Sequence, residues 1–368
     1  MAMDRPRIIY AGTDVLISDY PSWNNQTGTY ALKLLQRVQS SSISISNPAT
    51  RAKQLGSADF AFERYITVPQ VNVNIDYLLS DNTNELLLNL KATGAADLFS
   101  NLAVTGQDRN LFFLLHDQDG SDARSLTTMI GNDIISAGNC FLNNYSVTAS
   151  VGDIPRASVS FDCVNASFQN YSQASTVPAI TLLSGTKSTG IYFLSGANMV
   201  ASNYVSNQSS RPTALLPGNL QLVLEQPLLG GVRYSGSVPA SISSFQLNVP
   251  INRKDLYGFG SNFPYDKRAI FPLIGDISFE GTFDEPVTGD FSNIFTNENK
   301  YDLTFNFKND SGTTVLQYQV LDAQVEQQSF DLSIGSNMNF KSQFSFKITK
   351  DDGLRISGAA RLTDSLVA

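Results

Sequence analysis

The residues of this chain that could do chemistry stand in incomplete arrangements. Its one histidine, His116, precedes the acidic run Asp117-Gln118-Asp119-Gly120-Ser121-Asp122. A nucleophilic triad would need that imidazole together with a distant serine and carboxylate, and no Gly-x-Ser-x-Gly elbow is present to expose a serine. The acidic run offers oxygen ligands at alternating positions, which suits a hard cation. It lacks the full Asp-x-Asp-x-Asp-Gly frame and a closing bidentate glutamate, and a hairpin turn around Asp119-Gly120 explains it better. Gly258-Phe259-Gly260 has no third glycine and no preceding buried strand, so it reads as a backbone turn and not as a phosphate cradle. Asp284 and Glu285 are adjacent and would point to opposite faces of a strand, which excludes them as a paired acid and base. The expectation is therefore no catalytic residue, no metal and no cofactor. Cys140 and Cys163 form no CxxC pair and stand near the two ends of a predicted hairpin. Two free buried thiols are the expected state, with a bridge across the hairpin as the alternative.

The elements that carry these residues are mostly strands. Ser42 to Asn47, Val71 to Tyr77, Ser158 to Phe161, Tyr301 to Phe307 and Gln343 to Ile348 alternate polar and apolar side chains, the period of a half-buried antiparallel strand. Tyr145 to Phe161 and Phe330 to Phe346 each contain two such strands about a bend and read as hairpins. Helix signal is sparse. Asp81 to Leu90 has a capping candidate followed by Glu85 and a leucine cluster, Ala95 to Leu102 could extend or follow it, and Asp290 to Thr296 carries Phe291, Ile294 and Phe295 at helical spacing.

The chain also repeats itself. Ser42-Ile43-Ser44-Ile45-Ser46-Asn47-Pro48 leads into Arg51 and Gly56, and 202 positions later Ser244-Phe245-Gln246-Leu247-Asn248-Val249-Pro250 leads into Arg253 and Gly258. Gly12 and Pro21 are matched by Gly218 and Pro227, with an apolar stretch between them in each case (Val15 to Ile17; Leu220 to Leu224). Arg64, Ile66 and Pro69 are echoed by Arg268, Ile270 and Pro272, while Val147, Ala149, Gly152 and Phe161 correspond without a gap to Phe330, Leu332, Gly335 and Phe344. Four blocks in one order indicate a duplication. They predict a first domain over 1–164, an ordered inter-domain insert over 165–215 and a second domain over 216–368. The insert is rich in Ser, Thr, Asn and Gly but contains apolar runs at Ile180 to Leu183 and Ile191 to Leu194.

Composition narrows the partners. Apolar residues make up 42% of the 368 and charged residues only 16%, so the surface is polar mainly through uncharged groups. Such groups cost far less to desolvate than ions, which suits burial against neighbouring subunits, although composition alone favours the alternative of a β protein with Ser and Asn-rich turns. With 33 acidic and 25 basic residues the net charge is −8, which argues against a nucleic-acid binder and does not exclude a surface that DNA passes without sticking. The Met-Ala-Met-Asp-Arg-Pro-Arg start is not a signal peptide, and no run approaches the length of a membrane span.

Val38 to Leu79 resembles the tail tube (major tail) proteins of tailed bacteriophages, and Ala214 to Asn219 followed by Ser241 to Pro272 resembles the second domain of their two-domain members. The likeness rests on the alternating strand ending in Pro48 or Pro250, the Arg51/Gly56 and Arg253/Gly258 turns, the Arg64 and Arg268 segments, and the Ser150 to Asp162 hairpin. In the second copy Gly335-Ser336-Asn337 replaces Gly152-Asp153-Ile154-Pro155, a departure at that turn. The resemblance implies a mainly β fold of two tandem β-sandwich or partial-barrel domains, each with a short flanking helix. It implies trimeric, pseudo-hexameric rings stacked into a tail tube, a conduit for DNA ejection in the virion, assembled in the host bacterial cytoplasm. The partners it implies are further copies of the chain, a tape measure protein in the lumen, tail-tip and terminator proteins at the ends, and in some tails a sheath. DNA passes without specific binding, and no membrane is involved.

Within that expectation, Ser42, Ser44, Ser46, Asn72, Asn74 and Asp76 are candidates to face the lumen, the alternative being bulk solvent. Arg51, Arg64, Arg253 and Arg268 are candidates for subunit or ring interfaces, the alternative being solvated turn charges. Two other readings stay open: a low-copy tail-tip or neck ring of the same fold, and a β-rich carbohydrate-binding tail protein. The latter would require clustered exposed aromatics, which the single Trp23 does not supply.

Overall fold

Alternating side chains force the segments read as strands to bury one face, and the computed structural model of the chain shows how they do so. The structure describes residues 8–18, 30–47, 50–53, 55–56, 60–64, 70–90, 98–103, 108–117, 132–171, 176–177, 192–193, 215, 220–224, 242–256, 266–282, 300–309, 311–331, 339–349 and 353–358. The first copy contains β1 (Ile8–Ser18), β2 (Tyr30–Leu34), β3 (Val38–Ser46), β4 (Thr50–Lys53), β5 (Phe60–Arg64), β6 (Gln70–Leu78), α1 (Thr83–Leu87), α2 (Leu98–Ala103), β7 (Arg109–Asp117), β8 (Asn132–Ser150) and β9 (Arg156–Cys163). Next come β10 (Asn165–Tyr171), β11 (Thr176–Val177) and β12 (Tyr192–Phe193). The second copy contains β13 (Leu220–Leu224), β14 (Ile242–Pro250), β15 (Arg253–Leu256), β16 (Asp266–Ala269), β17 (Leu273–Thr282), β18 (Lys300–Lys308), β19 (Thr314–Asp331), β20 (Asn339–Ile348) and β21 (Leu354–Gly358). The fold is mainly β, with large antiparallel sheets.

The duplication read in the sequence is also a duplication of pairing. In the first copy β3 pairs with β6, β6 with β9, β9 with β8, β8 with β7, and β7 with β1. In the second, β14 pairs with β17, β17 with β20, β20 with β19, β19 with β18, and β18 with β13. The strands β8 and β19 hold the same place and are the longest, at 19 and 18 residues. Each pairs through its first part with one set of strands (β7 and β10; β18 and β21) and through its last part with another. A strand of that length lets one chain segment serve both faces of a core. The insert begins inside this pattern, because β10 lies on β8 as β21 lies on β19. The small hairpins β4–β5 and β15–β16 also correspond.

One contiguous core runs through both copies. It joins Val73, Tyr77, Phe113, Val147 and Phe161 of the first to Phe245, Phe279, Phe305, Tyr318 and Phe344 of the second. Phenylalanine dominates the second half, with Phe245 against Phe305 at 4.4 Å between ring centroids and Phe279 stacked on Phe344 at 5.6 Å. Such ring pairs add to the burial of large apolar side chains.

The two helices among the described residues are short. Asp81 Oδ1 accepts a hydrogen bond from the Thr83 N–H at 2.9 Å, so the expected capping residue acts two positions ahead of the helix start, one before the N-cap Asn82. The α2 helix turns Phe99 onto Phe271, centroid to centroid at 4.5 Å, and so ties the first copy to the second. The helix expected over Asp290 to Thr296 lies outside the described residues, as do Trp23, the run Asp119 to Asp122, Gly258 to Gly260 and Asp284-Glu285.

Candidate assembly surface

The chemistry of this molecule that the structure develops furthest is the chemistry of strand edges. The second copy's outer strand, β14, does not end its sheet. It pairs antiparallel with the last part of β8, with Gln246 opposite Thr148, Leu247 opposite Val147, Asn248 opposite Ser146 and Val249 opposite Tyr145. Val151 N donates to Ser243 O at 2.8 Å and Ile251 N to Asn143 O at 2.7 Å, which extends the seam at both ends. Its core side is dry: Leu247 and Val147 are both 0% exposed. The seam therefore joins two repeats edge to edge, by backbone hydrogen bonds and by a hydrophobic strip.

Two edges of the same kind remain. Among the described residues β3 pairs only with β6, and the stretch of β19 from Val325 to Asp331 pairs only with β20. By position in the repeat, β3 corresponds to β14, and this part of β19 corresponds to the part of β8 that receives β14. The alignment of β19 with β8 holds at the register level, since Val147 opposite Ala157 becomes Phe330 opposite Phe340.

A continuous polar face runs across these strands on the side away from the core. Ser42 and Ser44 of β3 lie opposite Asn74 and Asn72 of β6, and Asn74 and Asp76 lie opposite Ser160 and Ser158 of β9. Across the seam the row continues through Ser146, Asn248 and Asp276. All six candidate lumen residues sit on this face: Ser42, Ser44, Ser46 and Asn74 are exposed, and Asn72 and Asp76 half-buried. Ser40 Oγ donates to Asp76 Oδ2 at 2.5 Å, and Asn74 Nδ2 donates to Ser42 Oγ at 3.4 Å. Partial burial and the nearby Glu326 carboxylate hold the Asp276 carboxyl above the usual carboxylate range. The face also carries charges of both signs, and part of that charge is neutralised in pairs such as Lys341 with Glu280 at 2.9 Å.

The four candidate arginines lie in the two equivalent hairpins. Arg51 lies opposite Glu63 and Arg64 opposite Thr50 in β4–β5, while Arg253 lies opposite Ala269 and Arg268 opposite Lys254 in β15–β16. Arg253 is the one whose role the structure details. Its Nε donates to the Leu142 carbonyl at 2.9 Å, and its guanidinium lies 5.4 Å above the Phe141 ring, both residues being in β8. Lys267 of the same hairpin reaches Asp162 of β9 at 2.5 Å while its own hairpin's Asp255 stands 3.6 Å away. The second hairpin is thus clamped onto the first copy beside the seam. Arg268 is exposed.

Beneath the seam lies a polar cluster that the sequence reading did not single out. Glu85 of α1 is fully buried, and its Oε1 accepts hydrogen bonds from Tyr77 at 2.8 Å and Tyr145 at 3.1 Å. The Tyr145 hydroxyl also meets the Tyr318 hydroxyl at 2.6 Å, so the cluster spans both copies. Burial raises the Glu85 carboxyl to about 7 despite those two hydrogen bonds, and its Oε2 has no hydrogen-bond partner. Burial, with the charge of Glu85, also drives all three phenols well above their ordinary value. The available signal was a glutamate inside a leucine cluster, which suits a helix surface equally well.

The cysteine expectation is corrected. Cys140 of β8 and Cys163 of β9 are disulfide-bonded with Cα atoms 3.9 Å apart, where free thiols were expected. The β8–β9 register, Phe141 opposite Asp162, brings the two residues directly opposite each other, a proximity set by strand pairing across the hairpin. His116 lies in β7. Among the described residues no three His, Cys, Asp or Glu side chains cluster as a metal site, and no helix is long and apolar enough to cross a membrane.

No family model and no curated protein matches the chain. Among solved structures, the tube-terminating cap of the anti-feeding prophage is similar over 42% of this chain and 98% of its own length, at 12% identity and a TM-score of 0.31. A chain of the sheath–tube complex of the extracellular contractile injection system PVC, in its extended state, is similar over 38% and 89%, at 13% identity and a TM-score of 0.26. A type VI secretion system effector from Yersinia pestis is similar over 38% and 98%, at 9% identity and a TM-score of 0.21. Likenesses this weak carry no functional argument.

Proposed function

We propose that the chain is a structural protein of a phage-type tail, whose copies close into trimeric, pseudo-hexameric rings that stack into a tube for DNA ejection. The observation that carries this reading is the β14–β8 seam. One repeat already receives the edge strand of another, and the equivalents of the donated and the receiving edge recur at the two ends of the sheet formed by the described residues, where neither has a further strand partner among those residues. A contact between two different patches is heterologous, and identical heterologous contacts close into a ring when the rotation permits. Three chains of two repeats would make six equivalent units. Burying the edges in this way also removes templates for uncontrolled aggregation.

In this reading the polar face with Ser42, Ser44, Ser46, Asn72, Asn74 and Asp76 lines the lumen. Small uncharged side chains with scattered carboxylates would wet the passage and repel phosphate without holding it. The role is structural, with no catalytic chemistry. Its partners are the tape measure protein inside, tail-tip and terminator proteins at the ends and, in a contractile tail, a sheath, and the protein resides in the virion tail. Negative-stain electron microscopy of the purified full chain tests it. Six-lobed end views with three chains per ring are expected, and a stable dimer enclosing a single deep cleft would overturn the reading.

A further inference from the structure

We infer that α1 is a proton-operated latch between the two copies, closed while Glu85 is neutral and opened when its carboxyl ionises. The latch belongs to the single chain and does not depend on ring assembly.

It is built from side chains that ordinarily stay in water. Ser80-Asp81-Asn82-Thr83-Asn84-Glu85 is wholly polar, and every residue of it is buried. A polar segment stays inside a core only through its hydrogen bonds, and those of this segment reach both copies. Toward the first copy, Asn84 Oδ1 accepts from the Gln36 N–H at 2.9 Å and Asn84 Nδ2 donates to the Gln36 carbonyl at 2.8 Å, while Glu85 Oε1 is held by Tyr77 and Tyr145. Toward the second, Asn82 Nδ2 donates to the carbonyl of Gly358 at the end of β21, and Tyr145 connects Glu85 to Tyr318 of β19. Tyr318 lies opposite Ile356 and Leu316 opposite Gly358, so both links hold one strand pair, β19–β21.

Ionisation of Glu85 upsets this arrangement at one point. Its carboxyl is faced by Tyr77 from β6, Tyr145 from β8, Tyr318 from β19 and Asp81 from the turn ahead of α1, none of which supplies a positive charge. Glu85 Oε2 is buried without a hydrogen-bond partner, a place that a neutral carboxyl tolerates and a carboxylate leaves for water. The three phenols, held well above their ordinary value, keep their protons throughout. The element that yields is α1, because five helical residues do not persist without tertiary contacts, whereas the strands around it are held by their ladders. Its release breaks the Asn82 and Glu85 bonds together and loosens β19–β21. The carboxyl titrates near its ordinary 4.5 when the latch is open and at about 7 when it is closed. The closed form therefore loses ground as the pH rises between those values and no further above them.

Hydrogen–deuterium exchange of the full chain tests this, read by mass spectrometry at pH 5 and pH 8 with labelling times matched for intrinsic exchange. Ser80 to Leu90 and Leu354 to Gly358 should exchange about tenfold faster or more at pH 8, while β17 and β20 keep their protection. In Glu85→Gln the difference should vanish. Tyr77→Phe takes one donor from the carboxylate and should carry the response to higher pH. A response at Ser80 to Leu90 with none at Leu354 to Gly358 would overturn the link between the copies. Equal loosening of every strand, or a response that either variant leaves unchanged, would overturn the latch.

Discussion

Glu85 shows how a single residue can set the pH response of a fold. Its carboxyl is raised from 4.5 to about 7 by burial, so the native state holds a proton that the unfolded chain releases at lower pH. Stability from this group is fully present below about 4.5 and declines as the pH rises through 7, by about 3 kcal/mol in total. Replacing it, Glu85→Gln, should abolish that slope. Urea denaturation at pH 5 and pH 8 would show the wild type losing stability relative to the variant, and parallel behaviour of the two would show that the carboxyl is not coupled to folding. Arg253 makes a different prediction. Arg253→Ala removes a charge-assisted hydrogen bond to a backbone carbonyl and a cation over Phe141, and should cost the folded chain about 1–3 kcal/mol in denaturant unfolding. Arg51 occupies the matching position in the first copy. On the assembly reading, Arg51→Ala should leave monomer stability nearly intact and reduce association measured by sedimentation.

Elements are held by cross-strand complementarity. Gly275 in β17 lies opposite Phe346 in β20, and the Phe346 ring covers the space a Cβ at 275 would occupy. Gly275→Ala must displace that ring from the core, and a loss of about 1–3 kcal/mol in chemical denaturation is expected, with Gly275→Val worse. An unchanged midpoint for the alanine variant would mean that β17 shifts to accommodate it. The turn after β8 depends on backbone conformation instead. Gly152 has φ +90°, a value that L side chains rarely adopt, which explains why this hairpin contains glycine at its bend. The disulfide fastens the other end of the same β8–β9 pair.

At the scale of the whole molecule the two copies are covalently tandem and share one core. The seam, the Tyr145–Tyr318 contact, the Phe99–Phe271 contact and the bond from Asn82 Nδ2 to the Gly358 carbonyl at 2.9 Å all cross between them. Calorimetry of the isolated chain should therefore give one cooperative transition, and Leu247→Asp at the seam should destabilise both copies together. Two resolved transitions, with only one moved by that substitution, would show that the copies fold independently.

Much of this was legible in the sequence, because period-two alternation and the spacing of Pro48, Arg51 and Gly56 against Pro250, Arg253 and Gly258 are local signals. They determine strand identity, which side chains share a face, and that one unit occurs twice. Alternation places Ser42, Ser44 and Ser46 on one face of their strand and Asn72, Asn74 and Asp76 on one face of theirs, and the β3–β6 register joins the two sets into one polar face. Partner choice between strands depends instead on contacts distant in sequence. Only the tertiary structure decided that β14 adds to β8, that Cys140 meets Cys163, and that Glu85 is buried among three tyrosines from three strands. It also distinguished Leu247 from Ile45. The two residues hold the same place in the same repeat, but one lies against a neighbouring strand and the other at an open edge, a difference in surroundings that a one-dimensional pattern does not contain.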